Sequence, residues 1–326
     1  MATKFPEPDV ALMESVLFFF TRYFWMIITV FGVPGNVISF VICLLKDNRR
    51  FSTCIYMAGL AAVDSLLLIT RVGMSTKLFW LNDEPVTEFQ FQWAYYITYT
   101  SAILSGLFLT LMSIDRLIAV RFPLAAKQRC TPKRAARAII VSVTVVSVLN
   151  IHMFFFFKQQ QVNGVGSLLL ILDIPGYPHL ITFVDMYHLI CGSVAPFVII
   201  VGSNLWIIVT IRAASSRRKE MGVAEDVAKT QGKETRHLTR MLILVCIAFI
   251  VTSIPYRLYT IVLSIPSLNR MYDLGNVYWF IRYTMQHYIL LDIWHWNYGI
   301  NFYLYCIGGG RKFRSDVERL FSCRKP

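Results

Sequence analysis

The chain has 326 residues, 56% of them hydrophobic and only 16% charged, with a mean hydropathy of +0.54 and a formal net charge of +13. A soluble domain of this length has no need of so many long uncharged runs, so an integral membrane protein is expected. The positive charge gathers in one set of loops, which makes it a topology signal and not a nucleic-acid footprint.

A helix crossing the hydrocarbon core needs about 20 apolar residues. The first such stretch covers 17–45, and it is too long, and lacks the basic start, for a cleavable signal peptide. The second, 52–76, carries Asp64 and Arg71. The third, 89–118, has no Lys, Arg, Asp or Glu from Phe89 to Ile114 and then sets Asp115 beside Arg116. Further spans follow at 137–157, 184–212, 238–266 (with Arg257) and 278–308 (with Arg282 and Asp292), which makes seven. An outer loop near 158–184 and an inner loop near 213–235 separate them; the inner one is polar and reads as mobile, with short helical extensions at its ends. The tail "RKFRSDVERLFSC" places Phe313, Val317, Leu320 and Phe321 at helical spacing. That predicts an interfacial amphipathic helix over 311–322, with Cys323 a candidate for palmitoylation. The expectation is an all-α membrane protein, a seven-transmembrane helix bundle filling 1–326 as a single domain. No repeat marks the duplicated halves of a transporter.

Lys46, Arg49 and Arg50 lie at one set of ends, with six basic residues between Arg121 and Arg137, eight between Arg212 and Arg240, and six from Arg311 to Lys325. The opposite loops and the N-terminus hold only Lys4, Lys77, Lys158 and Arg270. The N-terminus is therefore expected outside and the C-terminus inside, with the basic loops against anionic lipids. Asp64, alone in mid-span, is expensive there and by default functional.

Motifs fall in these spans in a fixed order: "GNVISFVI" with Asn36, "LAAVD" with Asp64, "SIDRLIAVRFPL", "APF" with Pro196, "SIPY" with Pro255 and "NFYLY". Together they resemble the rhodopsin-like (class A) G-protein-coupled receptors along essentially the whole chain. The segment "KETRHLTRMLILV" is similar to the inner end of span six in invertebrate neuropeptide receptors of the FMRFamide type. The resemblance implies a plasma-membrane receptor that activates a heterotrimeric G protein. It implies that Asp115 holds Arg116 while the receptor is inactive and releases it to the G protein, and that Leu124 inserts into that partner. An ordinary interfacial ion pair is the alternative. It also gives Asp64 the neighbours Asn36, Ser105, Asn297 and Asn301, an oxygen-rich set suited to an allosteric sodium ion or, failing that, to a water network. No other cofactor is expected.

Several positions depart from that family. Ser253 replaces the aromatic residue of Cys-Trp-x-Pro, and Phe302 replaces the proline of Asn-Pro-x-x-Tyr, a five-residue motif of which Asn301 and Tyr305 remain. Without a proline, span seven is expected to run straighter. Asn204 stands where a tyrosine often meets the released arginine, and span four lacks its usual tryptophan. The seven cysteines all lie in spans or on the basic side, so the family's outer disulfide is missing.

For the ligand, Arg257 lies about eight residues into span six, roughly 12 Å deep at 1.5 Å per residue. Arg71 is at similar depth, and His287, Asp292 and His295 lie on span seven. Arg71, Arg257, Asp292 and His295 are the candidate ligand contacts; an internal Arg257–Asp292 pair is the competing reading. Acids predominate outside, which suits steering of a cationic ligand, and the combination fits a short peptide better than a monoamine. A small acidic metabolite sensed as a chemosensory cue, a receptor that folds without signalling, and a transporter or channel are the alternatives. No nucleophile–base set, metal cluster or phosphate loop points to an enzyme.

Overall fold

The computed structural model describes residues 10–79, 87–156, 180–220, 225–264, 277–308 and 310–322; among these, all regular structure is helical. Span one joins Val10–Phe19, a π-helical turn Phe20–Phe24 and Trp25–Leu44. Span two is Ser52–Phe79 and span three Glu88–Arg121. Span four is Pro132–Leu149 continued by Asn150–His152 and Met153–Phe156. Span five joins Leu180–Leu189, a π-helical turn Ile190–Val194 and Ala195–Glu220, and span six is Glu225–Ser264. Span seven is Val277–Gly299 followed by Asn301–Gly308. Two short helices, Pro123–Arg129 and Gly310–Phe321, follow spans three and seven.

Six of these helices are long and apolar enough to cross a membrane, from Leu12–Leu44 to Ile243–Val262. Span seven is less apolar, because it carries Arg282, His287, Asp292 and His295. It packs on spans one, two and six all the same, with Asp292 and His295 turned fully inward.

Helix ends follow capping chemistry, not hydropathy. Thr87 starts span three with a capping box: its hydroxyl accepts from the Gln90 amide at 3.3 Å and its own amide donates to Gln90 Oε1 at 3.2 Å. Phe122, held out of the helical region ahead of Pro123, ends it. Thr131 accepts from the Arg134 amide and, with Pro132 in the first helical position, starts span four five residues before its expected edge at 137. Span one likewise begins at Val10 and not at 17. Spans five and six run on to Glu220 and from Glu225, so the inner loop expected over 213–235 is almost wholly helical. Its Ala, Arg, Lys, Glu and Gln residues favour helix once the backbone leaves the membrane. The outer loop expected near 158–184 lies largely outside the described residues, as does Cys323.

Span seven is not continuous, although it lacks the proline. It is interrupted at Ile300, with Tyr303 closing a three-residue turn onto the Ile300 carbonyl at 3.0 Å. Asn36 of span one donates to the Tyr298 carbonyl at 2.9 Å. That carbonyl is the one an unbroken helix would offer to the Phe302 amide. A side chain from a neighbouring helix thus occupies the group that a proline would have left free.

Two glycines permit this approach. A Cβ on Gly32 would lie 2.8 Å from Gly299 Cα and 2.7 Å from Leu68 Cδ1. Gly73, by contrast, has nothing within 4 Å of such an atom. Gly32→Ala should destabilise the detergent-solubilised protein by the scale of overpacking, about 1–3 kcal/mol, and lower its thermal midpoint accordingly. Gly73→Ala should leave the stability unchanged or raise it by up to about 1 kcal/mol. Equal effects of the two would refute the close contact of spans one and seven.

Candidate functional site

At the basic end of the bundle, Asp115 is buried and its Oδ2 accepts from the Ser52 hydroxyl at 2.7 Å. The same oxygen meets Arg116 Nη2 at 3.4 Å, an ion pair of which both side chains are mostly buried. Cys130 donates from its thiol to the Asp115 carbonyl at 3.4 Å. Burial, followed by the Asp115 charge, pushes that thiol up to about 11, so it keeps the proton it donates at neutral pH. Arg116 Nε has no hydrogen-bond partner among the described residues. Beside the pair, Leu124 is 84% exposed on Pro123–Arg129, an apolar side chain with no cover of its own.

Asn204 does not reach this pair. Its amide donates to the Ile200 carbonyl at 2.8 Å and to Cys246 Sγ at 3.0 Å, tying span five to span six. Tyr305 is buried in the core of this end, among Cys43, Met112 and Met241, with its ring against Phe313 at 5.9 Å. Asn48 anchors the last helix by donating to Asp316 Oδ2 and to the Ile42 carbonyl, both at 2.9 Å.

Halfway through the bundle, Asp64 is fully buried and its Oδ2 accepts from the Asn301 amide at 2.8 Å. Ser105 faces the same carboxylate, and Asn297 is buried one helical turn before Asn301. Oδ1 of Asp64 has no hydrogen-bond partner among the described residues. An orphaned carboxylate oxygen with a hydroxyl beside it suits a hard cation or water. Asn301 turns its nitrogen to Asp64, so as placed it steadies the carboxylate and offers no oxygen there.

At the far end from Asp115, a cavity of about 120 Å³ opens between spans two, three, six and seven. Its walls are aromatic: Tyr95, Tyr99, Tyr256, His287, Trp294 and His295. Arg71 is the charged residue among the described lining residues. It stacks on Trp25 at 4.5 Å and shares a hydrogen bond with Tyr95. His295 Nδ1 donates to the Leu291 carbonyl at 2.6 Å, and its ring meets Trp25 edge-on at 4.2 Å.

Of the four expected ligand contacts, then, Arg71 and His295 line the cavity, whereas Arg257 and Asp292 flank it. Arg257 Nε donates to Ser193 at 2.8 Å and its guanidinium lies 4.8 Å from the Trp294 ring. Among the described residues it forms no ion pair with Asp292, both of whose buried oxygens lack a hydrogen-bond partner there. Ser193 reaches Arg257 from the π-helical turn Ile190–Val194, which widens span five just where Pro196 cannot donate to the Gly192 carbonyl. Ser52, Ser193, Tyr95 and Trp294 carry no signal in the sequence, because a lone serine or aromatic residue in a span looks like any other.

Residues 35–290 match the family model described as 7 transmembrane receptor (rhodopsin family). The chain belongs to this family. Somatostatin receptor type 2 of Mus musculus is 26% identical over 77% of this chain and 67% of its own length. Galanin receptor 2a of Danio rerio is 21% identical over 95% of this chain and 79% of its own. The KiSS-1 receptor of Homo sapiens is 34% identical over 45% of this chain and 36% of its own. The chain is thus a multi-pass membrane receptor and not an enzyme.

The Ser52–Asp115 bond fixes the orientation of the carboxylate that holds Arg116. Ser52→Ala should raise ligand-independent nucleotide exchange on a G protein about tenfold, the scale of one hydrogen bond to a charged group. Unchanged basal exchange at normal surface expression would reduce Ser52 to a helix-start residue.

Proposed function

We propose that this receptor sits in the plasma membrane with its N-terminus outside and its C-terminus in the cytoplasm, binds a short peptide at the aromatic cavity, and activates a heterotrimeric G protein. The observation that carries the reading is the Asp115–Arg116 pair closed by Ser52, with Leu124 exposed next to it. Arg116 and Leu124 meet the G protein once Asp115 lets go, while Asn204, Asn301 and Tyr305 rearrange between cavity and coupling end. The peptide ligand is supported by relatives that are receptors for somatostatin, galanin and KiSS-1. The cavity residues Arg71 and His295 contact its inserted end, and Arg257 and Asp292 stand behind the walls. Leu320 and Phe321, exposed on the last helix, rest on membrane lipid, with Cys323 the acylated residue.

A panel of peptides applied to cells expressing the receptor, read as nucleotide exchange, tests this. A peptide that activates the wild type should fail on Arg116→Ala at equal surface expression and equal binding. Full exchange by that variant would contradict the assignment.

A sodium ion held by Asp64 Oδ1, Ser105 and Asn297, with Asn301 steadying the opposite oxygen, would supply a fixed positive charge that favours the inactive arrangement. Sodium should then weaken the activating peptide by a coupling of about 1–3 kcal/mol, with potassium as the ionic-strength control. Asp64→Asn should remove the difference between the two salts. A sodium effect that persists in this variant places the ion elsewhere.

A further inference from the structure

The cavity is too small for a peptide and well sized for one end of one. A cavity of about 150 Å³ lined by apolar residues takes a benzene ring; this one is about 120 Å³, with aromatic walls and Arg71 in its lining. The aromatic part of the walls accepts a ring, through offset and edge contacts with Tyr256 and Trp294, themselves stacked 5.4 Å apart.

Arg71 sets the chemistry at the ring's polar end. Its Nε is buried without a hydrogen-bond partner among the described residues. A guanidinium withdrawn from water with donors unused is costly until an acceptor arrives, and its planar fork matches a carboxylate with two parallel bonds. Asp292 lies within electrostatic reach of Arg71 but forms no ion pair with it among the described residues, so apart from the bond to Tyr95 the guanidinium donors are left for an acceptor in the cavity. The rival group is a carboxamide, which could accept from Arg71 and donate to the unpartnered Nε2 of His295. A carboxamide offers one oxygen to Arg71, whereas a carboxylate offers two that match the planar fork and carries the opposite charge, and that favours the carboxylate. A cationic end would meet Arg71 as a like charge.

We propose that the group inserted into this cavity is an aromatic ring bearing a carboxylate one or two carbons away, two being the spacing at a free C-terminal aromatic residue and one that of an arylacetate, with Arg71 as its anion receptor. The inference rests on the reading that this cavity is the ligand site; it holds for the end of a peptide or for a small aryl acid alike.

Phenylacetate, phenylacetamide and 2-phenylethylamine share the ring and the spacing and differ in charge, so they are the probes. Each is added at millimolar concentration and pH 7 to the purified full-length receptor in lipid nanodiscs, and the thermal midpoint is read. Phenylacetate should raise it by about 2–4 °C, as expected for a site filled tenfold above its dissociation constant, and the other two should not. Arg71→Gln should lose the phenylacetate shift, and Arg71→Lys, which keeps the charge without the fork, should keep a smaller one. An equal or larger shift with the amide or the amine overturns the inference, as does a full phenylacetate shift in Arg71→Gln. So does the absence of any shift in the wild type, whatever becomes of the variants. If phenylacetate behaves as stated and no peptide ever stimulates nucleotide exchange, the peptide reading fails while the carboxylate site stands.

Discussion

The hydrogen bond from Asn36 to the Tyr298 carbonyl is the constraint on which the interior depends. Span seven gives up its own bond at that carbonyl and breaks at Ile300, so that its last segment starts afresh at Asn301. Asn301 then turns onto Asp64, and Tyr305, one turn on, fills the core at the coupling end. Above the break, Trp294 and Tyr298 meet edge-on at 5.5 Å and carry the cavity wall down to the same carbonyl. The close pair Gly32 and Gly299 is what lets Asn36 come near enough.

A second regularity concerns how buried charge is tolerated. Arg257 rests on Ser193 and the face of Trp294, and Arg71 on Tyr95 and the face of Trp25, while Asp115, beside its ion pair with Arg116, takes a neutral bond from Ser52. Neutral partners of this kind hold a charge without cancelling it. A fully paired, desolvated ion pair would be expensive to open; these charges remain available to a ligand at one end and to a G protein at the other. The loss of the family's aromatic residue at Ser253 fits the same picture, because the stacked Tyr256 and Trp294 supply the aromatic floor from one turn higher and from span seven.

Much of this was legible in the sequence. Hydropathy located the spans, the isolated Asp64 announced itself by its cost, and the Asp115–Arg116 pair was visible at the end of an uncharged run. Span ends were not legible, because hydropathy changes at the membrane surface while a polar helix such as 213–220 simply continues. The partner of Arg257 was not legible either: the obvious carboxylate was Asp292, and the actual acceptor is a serine displaced by a π-helical turn. Nor was the break in span seven, since the residue responsible for it, Asn36, lies 262 positions away from Tyr298.

The claim that Asn36 sets the break which aims Asn301 at Asp64 is best tested by a double-mutant cycle on thermal inactivation of the purified receptor. Asn36→Leu and Asp64→Leu do not touch the same atoms, so independent sites would give additive shifts, whereas residues joined through one element interact by about 0.5–3 kcal/mol. The combined variant should lose clearly less than the sum of the two single losses, because either change alone already frees the last segment of span seven. Strictly additive losses would contradict the account.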